Sequence, residues 1–198
     1  MWLETPRLVL REMTVDDFGA LYDILSDAHT MAHYPAPFDE AKVRRWIAWN
    51  RDNYATFGFG LWAVTLKDDG RLIGDCGLTM QHINGVIKPE IGYHIHRVEQ
   101  CRGYASEAAA KCIDYTFEHT PFGRVYAYMK HTNTASMRVA EHIGMQLADT
   151  YQDPINTQTN VYALTREAWA GRMTHKYPVR AYSRTVSGSS KSGSAAGI

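Results

Sequence analysis

The sequence predicts a mixed α/β domain organised around a β-α-β crossover, and three observations lead there. In Glu90–Phe117 the apolar period changes partway, from two to 3.6. Ile91, Tyr93 and Ile95 alternate with Gly92, His94 and His96 as a strand, whereas Ala105, Ala108, Ala109, Cys112, Ile113, Thr116 and Phe117 fall on one helical stripe. After Pro121 and Gly123 a second strand, Arg124–Lys130, follows, and a strand–helix–strand connection of this length makes the two strands parallel. Hairpins on either side of the crossover make the rest of the sheet antiparallel.

The first strand is Arg7–Arg11. Thr14-Val-Asp-Asp17 then caps a helix running to about Ser26, with Phe18, Leu21, Tyr22 and Leu25 on one face. His29–Phe38, with Pro35 and Pro37, is a loop. Asp39 caps a second helix with the stripe Val43, Trp46, Ile47 and Tyr54, ended by Phe57-Gly-Phe-Gly60. Leu61–Leu66 and Arg71–Leu78 flank a Lys67-Asp-Asp-Gly70 turn, and Thr79–Pro89 reads as a loop into the central strand. Asn133–Ile143 is a helix closed by Gly144. Met145–Tyr151 and Thr159–Thr165 form a closing hairpin, and Arg166–Arg172 adds a helical turn or two. We read residues 1–174 as one domain and 175–198 as a tail, basic at first and then Gly/Ser-rich.

Composition sets bounds. The chain has 198 residues, room for one ordinary domain, and at 45% hydrophobic it can bury a sizeable core. Three cysteines without metal-ligand spacing favour a reducing compartment. The charged start cannot act as a secretory apolar region, and no apolar run approaches a membrane span. A cytoplasmic protein with no membrane partner is the expectation. Four basic residues and no acidic ones follow Thr174, leaving 17 basic against 21 acidic in Met1–Thr174. That balance argues against a nucleic-acid partner and suits a cationic acceptor, although ordinary surface scatter explains it equally well.

The corner Gln100-Cys101-Arg102-Gly103-Tyr104-Ala105 is where chemistry is most legible. A helix N-terminus offers unpaired N–H groups and partial positive charge; Gly103 and Ala105 keep bulk away, and Arg102 adds a full charge. Such a corner can hold a phosphate or pyrophosphate, but a plain strand–helix turn needs a glycine about as often. It is not a Walker loop, lacking Lys-Ser/Thr, nor a dinucleotide turn, lacking the third small residue.

Gln100, Gly103 and Ala105 match the Gln/Arg-x-x-Gly-x-Gly/Ala signature, and the chain resembles the GNAT N-acetyltransferase superfamily over about Leu3 to Trp169. Glu4-Thr-Pro-Arg-Leu-Val-Leu-Arg11, Glu90-Ile-Gly-Tyr93, Asn133-x-x-Ser136 with Ile143-Gly-Met145, and Val161–Thr165 with Trp169 are similar to the ribosomal-protein N-acetyltransferase-like branch. The resemblance implies a six- to seven-stranded mixed sheet with a parallel central pair and helices on both faces. It implies acetyl-CoA as co-substrate, its pyrophosphate on Gln100, Cys101, Arg102, Gly103, Tyr104, Ala105 and Ser106, and its pantetheine in a splay along His94, Ile95, His96 and Val98. Asn133 contacts pantetheine in that reading. Ser136 assists the departing thiolate, because the tyrosine acid common in the family is Ala140 here.

Glu90 is the candidate general base; a plain surface or pairing glutamate is the competing account. His94 and His96 have no third or fourth ligand in view, so no metal is expected, and either one lining the acceptor cleft or relaying a proton fits better. Asn133 and Ser136 also suit a simple helix cap. Cys101 at a positive helix end invites an acetyl-enzyme, which direct transfer in the family disfavours. Tyr34, Phe38, Trp46, Trp49, Tyr54, Phe57 and Phe59 cluster as core, with some bordering the acceptor site. The expected activity is direct acetylation of a primary amine, preferably a protein or peptide α-amine. A small-amine acetyltransferase and a non-catalytic acyl-CoA sensor are the alternatives, for a monomer or homodimer.

Overall fold

The structure, a computed structural model, describes residues 2–176. Its frame is one eight-stranded sheet: β1 (Trp2–Glu4), β2 (Leu8–Arg11), β3 (Leu61–Leu66), β4 (Leu72–Ile83), β5 (Val86–Ile95), β6 (Arg124–Lys130), β8 (Thr157–Thr165) and β7 (Gln146–Asp153), in that spatial order. Five α-helices accompany it: α1 (Phe18–Leu25), α2 (Glu40–Phe57), α3 (Tyr104–His119), α4 (Thr134–His142) and α5 (Arg166–Lys176). The expected six or seven strands are thus eight. The additional β1 buries Leu3 alone of its three residues, too short a run to show alternation, and pairs it with Leu10 of β2. Helix α5 continues to Lys176, so the expected domain edge at residue 174 falls inside a helix. The Gly/Ser-rich stretch lies outside the described residues.

Thr79–Pro89 is not a loop. β4 and β5 stay paired from Gly74↔Ile95 out to Ile83↔Val86, and Asn84 and Gly85 turn the chain with φ of 50° and 75°. Two consecutive left-handed residues match the twist of the flanking strands, which is why Asn-Gly favours two-residue hairpins. The long pairing has a functional consequence: it sets Thr79 directly opposite Glu90.

Two apolar layers sandwich the sheet. On one face Ala108, Ala109, Cys112, Ile113 and Phe117 of α3 pack against Trp62, Cys76, Ile91 and Val125. On the other, α1 and α2 bury Leu21, Ile24, Val43 and Ile47 with Leu61 and Ala63. Asn50, fully buried on α2, accepts the Leu61 N–H on Oδ1 at 2.8 Å, and the Tyr54 hydroxyl donates to the Leu61 carbonyl. These polar ties fix α2 against the start of β3, because a buried backbone group left unpaired would cost about 1–3 kcal/mol.

The parallel pair expected at the centre is present, but barely joined. β5 and β6 share one register pair, Glu90↔Tyr126, while β6 runs its whole length against β8, from Arg124↔Thr165 to Lys130↔Thr159. Beyond Glu90 no further rung joins the two parallel strands, which leaves a wedge between them toward their C-terminal ends. Open α/β sheets place ligands outside those ends.

Candidate active site

The wedge leads to the corner before α3. There Cys101 and Gly103 both take left-handed conformations, φ 61° and 82°, around Arg102. Alternating handedness of this kind turns successive N–H groups toward one concavity. Among the described residues, no acceptor meets the amides of Cys101 through Ser106, whereas Glu107 N–H already bonds the Gly103 carbonyl at 3.0 Å. The expected anion cradle therefore has its donors free.

Arg7, which the sequence pattern places at the start of the first strand, holds this corner in shape. Its Nη1 donates to the Arg102 carbonyl at 3.0 Å, its Nε pairs with Glu107 Oε2 at 2.6 Å, and its guanidinium lies 4.4 Å from the Tyr104 ring centre. Burial would raise the Glu107 pKa, but hydrogen bonds from Thr5 and Arg7 outweigh it and hold the carboxyl below its usual range. Arg102 is less available than its sequence position suggests, since it pairs with the buried Glu99 at 2.9 Å. A groove lined by Arg7, Gly103, Ser106, Glu107, Trp169 and Arg172 continues from the corner along α3.

The strand-edge expectations need correction. His96 N–H is spent on the Ile73 carbonyl at 2.7 Å, and the Val98 N–H bonds the His96 ring Nδ1 at 3.3 Å. Antiparallel alternation then turns the backbone of His94 toward β4 and that of Tyr93 and Ile95 into the wedge. Gln100 also differs from expectation: its side chain donates to the Ile95 carbonyl at 2.9 Å, clamping the strand end instead of facing the cradle. Among the described residues of the stretch 94–98, the amides of Ile95 and Arg97 meet no acceptor, and that of Ile95 faces the wedge.

Glu90 stands at the joint of the wedge, on the face opposite α3. Thr79 Oγ1 donates to its Oε2 at 2.9 Å, and a Cβ on Gly92 would come within 3.1 Å of the same oxygen. The carboxylate thus lies over a glycine floor. Burial pushes its pKa up to about 7, against smaller lowering effects from Thr79 and His94. A base is most effective when its pKa lies near the working pH.

His94, four residues further along that face, is 8% exposed and belongs to a different structure from the cofactor edge. Its Nδ1 lies 2.7 Å from Asp75 Oδ1 and its Nε2 2.7 Å from the Tyr34 hydroxyl. The other oxygen of Asp75 accepts Trp46 Nε1–H at 2.9 Å. Burial alone would lower the His94 pKa, but the Asp75 and Glu90 carboxylates outweigh it and raise it. His96 instead caps the turn at Arg97–Glu99, so the two histidines do not converge. Among the described residues no group of three or more His, Cys, Asp or Glu side chains could hold a metal.

On the far side of the wedge, Asn133 Oδ1 accepts the Ser136 N–H at 3.1 Å as the N-cap of α4. The Tyr93 hydroxyl reaches across from β5 and donates to the Ser136 carbonyl at 2.9 Å. The Ser136 hydroxyl is therefore held beside the wedge by backbone contacts that do not use it. Cys101 is exposed, while Cys76 and Cys112 are buried with sulfurs 3.6 Å apart.

The sequence does not mark Asp75, Thr79 and Arg7 as site residues, and it does not separate Tyr34 and Trp46 from their aromatic cluster. Asp75 left the clearest trace, an acid within an otherwise apolar strand. The others meet only through pairings distant in the chain.

A sheet parted at one parallel joint, with a helix end carrying free amides at the mouth, suits a ligand with an anionic centre and a slender arm. Acyl-coenzyme A is a ligand of that shape, and an acyltransferase is the class such a site suits. The chain belongs to the GNAT acetyltransferase family, whose Acetyltransferase (GNAT) domain it matches over residues 7–146. It is 38% identical over 149 residues to the Bacillus subtilis (strain 168) protein YkkB, covering 75% of this chain and 87% of that one. The N-acetyltransferase YnaD of the same organism is 30% identical over 176 residues, 85% of this chain and 99% of that protein. Among solved structures, a GNAT-family acetyltransferase from Bacillus anthracis superposes with a TM-score of 0.72 at 26% identity, covering 84% and 99% of the two chains. RimL, a ribosomal L7/L12 α-N-protein acetyltransferase in complex with coenzyme A, shares the fold at a TM-score of 0.69 and 16% identity, over 85% and 99%.

Proposed function

We propose that this acetyltransferase moves the acetyl group of acetyl-CoA directly to a primary α-amine at the N-terminus of a protein or peptide. The carrying observation is Glu90, a carboxyl at the joint of the wedge with a pKa of about 7. Acetyl-CoA supplies the activated acyl group. Its pyrophosphate fits the free amides from Cys101 to Ser106, and its arm fits the wedge beside Ile95 and Asn133. Glu90 accepts a proton from the amine, and the Ser136 hydroxyl donates a hydrogen bond as charge builds on the departing sulfur.

Proton cost selects the amine. An α-ammonium has a pKa of about 8 and a lysine ammonium about 10.4. Transfer to a base near 7 is thus uphill by about 1.4 kcal/mol for the first and about 4.6 kcal/mol for the second, at 1.36 kcal/mol per unit. One moderately perturbed carboxyl meets the smaller demand. The likeness to RimL, a ribosomal L7/L12 α-N-protein acetyltransferase, supports the same reading.

The test offers one peptide in two forms, one with a free N-terminus and blocked lysine, the other reversed, and follows thiol release from acetyl-CoA. The free N-terminus is expected to react faster. A faster lysine form overturns the preference, and reaction of small amines alone moves the acceptor to metabolites.

A further inference from the structure

We infer that Tyr34, His94 and Asp75 form a proton relay in the acceptor site, with the Tyr34 hydroxyl as the group that meets the amine nitrogen. The inference rests on the acetyltransferase reading and adds a second proton acceptor to it. An ammonium acceptor sheds two protons on becoming an amide, and Glu90 accounts for one.

Four elements converge to build the relay. Asp75 of β4 is fully buried with both oxygens engaged, one by His94 of β5 and one by Trp46 of α2. A carboxylate only accepts, so His94 Nδ1 must carry the donated hydrogen. In the neutral ring Nε2 is then an acceptor, the Tyr34 O–H donates to it, and the free lone pairs of the Tyr34 oxygen remain for an incoming N–H. The hydroxyl end of Tyr34 lies inside the site, in the field of Glu90, Asp75 and Tyr128, although 42% of the residue is exposed. Burial pushes its pKa well up, so the phenol conducts a proton without holding the charge. Gly92, between Glu90 and His94 on the strand, has no side chain, and the Glu90 carboxylate occupies the room this leaves over β5.

The steps balance. Glu90 takes the first proton, freeing the nitrogen lone pair, which attacks the thioester carbonyl as the new C–N bond forms. The second N–H proton passes to the Tyr34 oxygen while Tyr34's own proton passes to His94 Nε2, and the resulting imidazolium faces the Asp75 carboxylate. The C–S bond breaks, the thiolate takes one proton from water, and Glu90 and His94 return theirs to solvent. One proton is released overall. Tyr34 is catalytic in this scheme, and His94 and Asp75 are positioning residues.

The competing account is a structural tie fixing the 29–38 loop to the sheet. Using the peptide with a free N-terminus, the acid limb of log kcat/KM against pH is expected to approach a slope of 2, since Glu90 and His94 must both be unprotonated. Tyr34→Phe keeps the ring packing and is expected to lower kcat at least 10-fold, reduce the slope to 1, and leave acetyl-CoA affinity by calorimetry unchanged; His94→Asn is expected to do the same. Wild-type kcat and slope in Tyr34→Phe, or a change confined to melting temperature and KM, overturn the relay. A readout without acceptor separates this from failure of the acetyltransferase reading. Ring-nitrogen NMR of histidine-labelled protein is expected to show one Nδ1–H tautomer whose Nε2 signal moves in Tyr34→Phe. Absence of that signal also overturns it.

Discussion

Glu90 carries opposite consequences for stability and for chemistry. Its carboxyl titrates near 7 in the folded chain and near 4.5 when unperturbed. Between those values the folded state holds the proton that the unfolded state has released, so stability falls as pH rises through that window. At 1.36 kcal/mol per unit, the deficit by pH 8 reaches about 3 kcal/mol. Glu90→Gln removes the charge and keeps an acceptor for Thr79. It is expected to melt several degrees above wild type at pH 8 but not at pH 4, while losing about 100-fold in kcat, in the range for a general base. Equal melting at pH 8 would show that burial does not govern this carboxyl. Ser136 allows a cleaner separation. Its N–H makes the cap and its carbonyl meets Tyr93, so Ser136→Ala retains both. Turnover should fall about 10-fold with melting temperature and acetyl-CoA affinity unchanged, as for a contact made mainly in the transition state. Full turnover in this variant would reduce the serine to a cap position.

At the scale of elements, the corner between β5 and α3 is legible in sequence because its requirement is local: residues at fixed offsets must free a set of amides. Gly103→Asp tests it. The left-handed backbone at φ 82° tolerates Asp at about 1 kcal/mol, so folding should persist. The added carboxylate would sit at the amides, where the pyrophosphate is expected. Acetyl-CoA affinity by titration calorimetry should drop at least 10-fold; unchanged affinity would remove the phosphate from this corner. The hairpin signal Asn84-Gly85 is equally local, but Pro89 just beyond it argues against a strand and favours the loop reading. The Tyr34–His94–Asp75–Trp46 line was illegible for another reason. Its members lie in a loop, two strands and a helix, and no period relates them.

At the scale of the whole molecule, alternation and helical stripes recover the order of elements, since burial of one face imposes them. They do not reveal how firmly neighbouring strands adhere. The separation of β5 from β6 depends on where β5 leaves the sheet, at a turn secured by Gln100 and His96, and side-chain patterning carries no record of that.

That lone rung, Glu90↔Tyr126, divides the sheet where the backbone crosses just once, through α3. Everything from β1 to β5 precedes the crossing, and everything from β6 to β8 follows it. The domain is therefore a pair of uninterrupted chain halves that can be severed without cutting a strand. A break between Thr120 and Arg124, in the link after α3, would yield two pieces, 1–121 and 122–198, each keeping its own hydrogen-bonded strands. Co-expressed, they are expected to reassemble into an active enzyme more completely with coenzyme A present than without, because the ligand spans the cut interface. Reassembly indifferent to coenzyme A would mean that α3 packing alone rejoins the halves. Bound as proposed, coenzyme A would act in the intact protein as a splint, bracing the sheet where its own ladder is thinnest.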